Sequence, residues 1–106
     1  MMKERMSELE EKINQHSKNR TLNSIDAIKL LDEYYEGLLY SMRALNDLEP
    51  NAELKADSIQ IGPLNFIERI KYIEQRKHHF MGYQQMKTMF VEINKLIAIK
   101  NIKKKR

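Results

Sequence analysis

The histidines are the first side chains to consider for metal chemistry. Glu74 and His78 are four residues apart and would share one face of a helix that reached His78, with His79 beside it and His16 far away in the sequence. A closed metal site needs three or four ligands close together, and this spacing supplies two. No glutamate stands three residues before a histidine, as the di-iron helical bundles require. We therefore expect no bound metal and no cofactor.

Nucleophilic and acid–base catalysis are not indicated either. The serines lie in predicted cap, surface or connector positions, and none is flanked by the sharp glycine turn that exposes a catalytic serine. The acidic residues mostly follow the predicted solvent faces of the first two helices. The chain has 0 cysteines, which excludes disulfides, thiolate zinc sites and iron–sulfur clusters. We expect a protein that is not an enzyme and has no catalytic residue.

A group of polar residues around the histidines is the candidate interaction patch. Its members are Arg69, Arg76, His79, Tyr83 and Gln85. They are more polar than a helical core needs. They could form a surface that contacts a protein partner, or a buried hydrogen-bonded junction between the third and fourth helices, where Arg76 and His79 would satisfy helix ends and a neighbouring carboxylate. The sequence leaves both interpretations open.

The charge of the chain is divided unevenly between its halves. Residues 1–53 hold 7 basic and 11 acidic residues, a net charge of −4, whereas residues 54–106 hold 12 and 4, a net charge of +8. Such a division indicates either a partner that carries phosphates or two halves that attract each other within one fold.

The basic half supplies the candidate phosphate contacts. They are Lys71, Lys77, Lys87, Lys95, Lys100, Lys103, Lys104, Lys105 and Arg106. Tyr72, Phe80 and Tyr83 lie among them as rings on which bases could stack. No RNP sequence and no helix-turn-helix pattern accompanies them.

Four amphipathic segments must position these residues. The predicted helices span roughly residues 3–17, 24–48, 65–77 and 79–100, with apolar residues recurring at steps of three and four. Gly37 lies inside the second segment, where it either marks a close helix crossing, the interpretation we favour, or is merely tolerated. Asn65, followed three residues later by Glu68, predicts a capping box at the start of the third helix.

The segments between and after these helices are irregular by prediction. Pro50 is expected to end the second helix near Glu49, because proline cannot donate a backbone amide. Residues 49–64 then form a connector packed on the bundle, and residues 101–106 form a basic flexible tail. The prediction is an all-α, single-domain four-helix bundle of residues 1–100.

Length and composition favour a cytoplasmic protein. A chain of 106 residues is one domain by the usual size range and can bury a core without disulfides. The charged start lacks an apolar secretory segment, and no apolar run approaches the ~18 residues that span a bilayer. We therefore expect no membrane association.

A pattern of aromatic and polar residues runs between Pro63 and Phe90, formed by Pro63 to Arg69, Tyr72, Ile73, Arg76, His79, Phe80, Tyr83, Gln85, Met86 and Phe90. In this pattern the sequence resembles the YpoC-like proteins, small proteins of low-GC Gram-positive bacteria. The resemblance covers about residues 59–98, and Lys77 stands where the family pattern commonly has proline. The family has no established activity, cofactor or catalytic residue, so the resemblance implies no site.

The sequence therefore predicts a protein-interaction module centred on the candidate interaction patch, with nucleic-acid binding through the basic half as the alternative. The positions of the positive charges on the last two helices distinguish these two hypotheses. A continuous exposed stripe would favour nucleic acid, and pairing with acids of the first two helices would favour the module. The pattern identifies no particular partner and no oligomeric state.

Overall fold

The computed structural model describes residues 2–104 as four helices in one compact domain. They are α1 (Met2–Lys18), α2 (Ile25–Leu45), α3 (Phe66–Arg76) and α4 (Phe80–Lys104). α1 packs on α2, α2 on α4, and α3 on α4. The prediction of an all-α four-helix domain is confirmed, and within the described range no residue lies in a strand. None of these helices combines the length and the apolar character needed to cross a bilayer.

The core lies where α1, α2 and α4 meet, and it contains two buried tyrosines. The rings of Tyr34 and Tyr83 pack edge to face with centroids 5.8 Å apart. Their hydroxyls both reach α1: Tyr34 donates to a carboxylate oxygen of Glu10 at 3.0 Å, and Tyr83 donates to the side-chain oxygen of Asn14 at 3.0 Å. A buried hydroxyl without a partner would cost about 1–3 kcal/mol, so these two bonds specify how α1 sits on the core.

α2 begins as the sequence indicates but ends early. The Ser24 hydroxyl accepts a hydrogen bond from the Ala27 amide at 3.2 Å, the N-cap geometry expected of serine. The helix ends at Leu45, and Asp47 adopts a φ of 56° that no helix can continue through. The predicted end near Glu49 is therefore wrong, because the chain leaves the helix before Pro50 is reached.

The side chain of Asn46 explains this early end. Its amide nitrogen donates to the carbonyl oxygens of Met42 at 3.0 Å and Ile61 at 2.8 Å. Its oxygen accepts from the backbone amides of Gln60 at 2.8 Å and Ile61 at 2.9 Å. One side chain thus joins the last turn of α2 to the far end of the connector. Ile59 beside these residues packs against the core, as the packed-connector interpretation expects.

The start of α3 differs from the predicted capping box. Asn65 occupies the N-cap position but has a φ of 57° and a ψ of 36°, and its side chain makes no cap hydrogen bond. A capping side chain reaches the free amides from an extended backbone, and the left-handed conformation of Asn65 prevents this. Its carbonyl oxygen still accepts the Arg69 amide at 3.0 Å.

α4 is longer than predicted. It continues through Lys104, so residues 101–104 of the predicted tail are helical. Lys105 and Arg106 lie outside the described residues, and of Lys104 only the backbone is described.

Two glycines allow close approaches between helices. A Cβ atom on Gly37 would lie 2.5 Å from the sulfur of the buried Met6, which places α1 directly over Gly37 and agrees with the predicted close crossing. At Gly82, in the first turn of α4, a Cβ atom would overlap the carbonyl group of Arg76 at the end of α3. The sequence pattern did not single out Gly82.

We predict that Gly82→Ala destabilises the fold. The new methyl meets backbone that no side-chain rotation can move away, at a cost of about 2–3 kcal/mol, while alanine returns only about 1 kcal/mol of helix propensity. Urea unfolding followed by circular dichroism should show a net loss of about 1–2 kcal/mol. Gly62→Ala is the control, since its methyl would meet the end of the Met42 side chain and, less closely, a methyl of Ile59, which are side chains and not backbone, and it should lose less. A Gly82→Ala variant as stable as the wild type would contradict the assignment.

Candidate functional site

Arg69, the first residue of the predicted patch, forms an ion pair within the fold. Its guanidinium donates to both carboxylate oxygens of Glu92 on α4, at 3.1 and 2.5 Å, and to the Leu64 carbonyl oxygen at 3.3 Å. The hydrogen bond from Arg69 lowers the pKa of Glu92, and burial, which acts in the opposite direction, does not outweigh it. Arg69 therefore joins α3 to α4.

Tyr83, a second residue of the predicted patch, is not on the surface. Its side chain is fully buried in the core beside Tyr34. Burial raises the pKa of Tyr83, with Glu10 contributing, so the hydroxyl stays protonated and serves as the donor to Asn14. The interpretation of Arg69 and Tyr83 as contacts for a partner is therefore not supported by their positions.

Arg76 and His79 are exposed, and they lie on one surface at the corner between α3 and α4. The Arg76 guanidinium carbon is 4.1 Å from the centroid of the exposed Tyr72 ring, a cation–π distance. A shallow depression here is lined by Tyr72, Gln75, Arg76, His79 and Met81. We call these five residues the junction surface. Gln85, the last residue of the predicted patch, is exposed one turn beyond Met81 on α4.

Lys77 and His78, the two residues between Arg76 and His79, make the ionic contacts at this corner. Asp32 on α2 lies 3.1 Å from the Lys77 ammonium and 2.6 Å from the Nε2 atom of His78. Burial raises the pKa of Asp32, but the hydrogen bonds from His78 and Lys77 outweigh it, and the net pKa is lowered. The helix-end role considered for Arg76 and His79 thus belongs to Lys77 and His78. Over residues 2–104 no three His, Asp or Glu side chains are grouped so that they could hold a metal ion.

Several candidate phosphate contacts are also engaged within the fold. The Lys100 ammonium donates to the Leu45 carbonyl oxygen at 2.7 Å and lies 2.8 Å from an Asp47 carboxylate oxygen. The Lys100 side chain is largely buried. It therefore caps the negative end of α2. Lys77 binds Asp32, and the Lys87 ammonium lies 4.7 Å above the Tyr83 ring.

The remaining candidates are dispersed. Lys71, Lys95 and Lys103 are exposed, while Lys105 and Arg106 lie outside the described residues together with the side chain of Lys104. Of the three rings considered for base stacking, Tyr83 is buried and Tyr72 is already covered on one face by Arg76. The positive charges of α3 and α4 are partly paired with the acidic half, at Asp32 and Asp47.

Sequence reasoning missed Tyr72, Gln75 and Met81 as members of the junction surface. A signal was available for Tyr72 and Met81, because both fall off the apolar stripes of their helices. An apolar or aromatic residue placed off the stripe must be exposed if the helix is correctly assigned. The contacts of Asp32 had no such signal, since they depend on how α2 meets the corner.

The fold and the site together define a small all-α helical domain whose most distinctive feature is an exposed surface at a helix corner. The chain belongs to the YpoC-like family, because the family model described as YpoC-like protein matches residues 1–105. The match extends well beyond residues 59–98, where the resemblance was recognised, and includes the acidic half. No curated protein and no solved structure matches the chain.

We predict that the Arg69–Glu92 pair makes a pH-dependent contribution to stability. The pKa of Glu92 is lowered in the folded protein, so the contribution is present above the pKa of an unfolded glutamate and is lost as the pH falls through the folded value. Arg69→Gln should lower the free energy of unfolding by about 1 kcal/mol at pH 7, and the difference should shrink below about pH 4. Urea unfolding at several pH values measures this.

Arg76→Gln is the matched control for that experiment. It removes the same guanidinium from a site where the hydrogen-bond acceptor is the Gln75 side chain at 3.5 Å and not a carboxylate. The difference between this variant and the wild type should not vary with pH. A difference for Arg69→Gln that stays constant from pH 7 to pH 3 would contradict the assignment.

Proposed function

We propose that this protein is a non-enzymatic protein-interaction module that binds its partner through the junction surface. The observation that carries the proposal is the Arg76 guanidinium held over the exposed Tyr72 ring, with Met81, 60% exposed, lining the same depression. Arginine, tyrosine and methionine are enriched at protein interfaces, and arginine and tyrosine supply many of the residues that dominate binding energy. Three such side chains on one small surface favour a protein partner.

The junction surface is well prepared for binding. Gly82 lets the first turn of α4 pack directly against the end of α3, so Tyr72 on α3 and Met81 on α4 lie on one surface. Arg76 already rests on Tyr72, which reduces the side-chain entropy that binding would cost. The surface combines a cationic group with exposed apolar area, and it therefore suits a partner segment that carries a carboxylate next to an apolar side chain.

Nucleic-acid binding through the basic half is the competing hypothesis. The exposed Lys71, Lys95 and Lys103 are compatible with it. The contacts of Lys77 with Asp32 and of Lys100 with Asp47 weigh against it, because those charges are used within the fold. They support the interaction module instead.

The proposal predicts that Arg76→Ala combined with His79→Ala abolishes partner binding while the domain stays folded. Both side chains are exposed, so thermal unfolding should change little. Tagged wild-type protein and the double variant are used to capture partners from the cells that produce the protein, and the bound proteins are compared by mass spectrometry. Gln85→Ala, an exposed neighbour outside the junction surface, is the control and should capture what the wild type captures.

Two outcomes would overturn the proposal. A folded double variant that captures the same proteins as the wild type would show that the junction surface is not the binding site. A double variant that unfolds, yet still captures the same proteins, would make Arg76 and His79 structural residues.

The competing hypothesis predicts salt-dependent binding of nucleic acid, and we expect none from the folded domain. Fluorescent single- and double-stranded DNA and RNA are titrated by anisotropy over a range of salt, with the full chain and with a chain lacking residues 103–106. Flat traces, or binding lost with those residues, are expected. Binding on the order of micromolar or tighter that survives the truncation and falls linearly in log affinity with log salt would favour the nucleic-acid hypothesis.

A further inference from the structure

α4 is apolar on two opposite sides. Its inner side buries Met86, Met89 and Ile93 in the core. Its outer side leaves Val91, Ile99 and Ile102 exposed by 52%, 50% and 59%. A surface helix ordinarily carries polar residues on its outer side, and a helix that is apolar all round is ordinarily covered. The outer side of α4 therefore has the composition of a covered surface.

The exposed residues form one continuous stripe. Val91, Lys95, Ala98 and Ile102 follow one another at steps of four, three and four, with Ile99 beside them. We call these five residues the outer stripe. It borders an apolar groove that α4 forms with the connector, lined by Ile61, Leu96, Ile99, Lys100 and Lys103. The stripe and the groove together offer a partner a concave apolar contact.

Positive charges predominate around the outer stripe. Lys95 lies within the stripe, and Lys103 lies at the edge of the groove. Glu92 is the single acidic residue in the α4 sequence, and Arg69 holds both of its carboxylate oxygens. A second carboxylate, that of Asp47, lies 2.8 Å from the ammonium of the groove residue Lys100. A partner that covers the stripe therefore meets apolar side chains and lysine ammonium groups, while Arg69 and Lys100 hold the carboxylates of Glu92 and Asp47.

We propose that the outer stripe is a docking site for an amphipathic α-helix of a partner protein, with an apolar face flanked by acidic residues. Such a helix would place its apolar side chains on Val91, Ile99 and Ile102 and a carboxylate against Lys95. The site is distinct from the junction surface, because Met81 and Val91 are about 15 Å apart along the helix axis. It goes beyond the proposed function by assigning a second face and the kind of partner it takes.

A second copy of this chain is a poor occupant for the stripe. In a symmetric dimer the stripe would meet itself, and it contains a lysine but no carboxylate. Lys95 would then be buried with only the Glu92 carboxylate, which Arg69 already holds, as an opposite charge, and this is costly. An acidic partner removes this cost.

A lipid surface is also disfavoured. Helices that lie in a membrane interface keep their lysines on the polar side and insert an uninterrupted apolar face about 5–10 Å deep. Lys95 lies between Val91 and Ile99 within the stripe, where insertion would draw its ammonium group towards the acyl chains.

The test uses two synthetic peptides held helical by side-chain staples and labelled with a fluorophore. One carries leucine on one face and glutamate on the flanks; the other has lysine in place of each glutamate. Fluorescence anisotropy with the full chain should give a Kd on the order of micromolar for the acidic peptide and binding at least about tenfold weaker for the basic one. Lys95→Glu should reverse this preference.

Matched variants locate the binding. Ile99→Asp should weaken binding of the acidic peptide at least about tenfold. Ile25→Asp makes the same change at an exposed isoleucine at the start of α2 and should have no effect on binding. The variant with Arg76→Ala and His79→Ala should bind the peptide like the wild type. Failure of the outer-stripe proposal and failure of the junction-surface proposal therefore give different results.

Several results would overturn the proposal. Equal binding of the two peptides, or binding of neither, would show that an acidic helix is not the partner of the outer stripe. Sedimentation that shows a concentration-dependent dimer, lost in Ile99→Asp, would assign the stripe to a second copy. Sedimentation with phosphatidylglycerol vesicles, without peptide binding, would assign it to a membrane.

Discussion

The contact between the Gly82 backbone and the carbonyl group of Arg76 is the constraint on which the rest of the structure depends. It brings the first turn of α4 against the last turn of α3 with no side chain between them. The residues on either side of Gly82 then point in different directions. Met81 faces solvent in the junction surface, and Tyr83 enters the core, where its hydroxyl reaches Asn14 on α1. One close approach therefore determines both the exposed surface and the position of the first helix.

The opposite charges of the two halves act mainly inside the molecule. Lys77 and His78 at the corner meet Asp32 on α2, and Lys100 on α4 meets Asp47 just beyond the end of α2. One contact lies near the middle of α2 and the other just beyond its end, so they join α2 to the corner between α3 and α4 and to the C-terminal part of α4. A positively charged half is often taken as a sign of nucleic-acid binding. Here part of that charge serves the attraction between segments of one chain.

Helix period and composition were enough to predict the four helices, the start of the second one near residue 24 and the close approach at Gly37. They were not enough for the features that depend on distant residues. α2 ends where it does because Asn46 binds the backbone of residues 60 and 61, and no local pattern encodes such a contact. The position of Tyr83 stayed open between the surface and the helix junction for the same reason. A partner on α1 satisfies its hydroxyl inside the core.

The hydrogen bonds of Asn46 also determine how the connector moves. The amide groups of Gln60 and Ile61 belong to no helix, yet both are held by the same side-chain oxygen. They exchange their hydrogens with water only when the Asn46 side chain releases them, and that side chain is also bonded to the Met42 carbonyl in the last turn of α2. Opening of the connector at residues 60 and 61 therefore also removes a side-chain contact from the last turn of α2, which couples the local stability of an irregular segment to that of a helix.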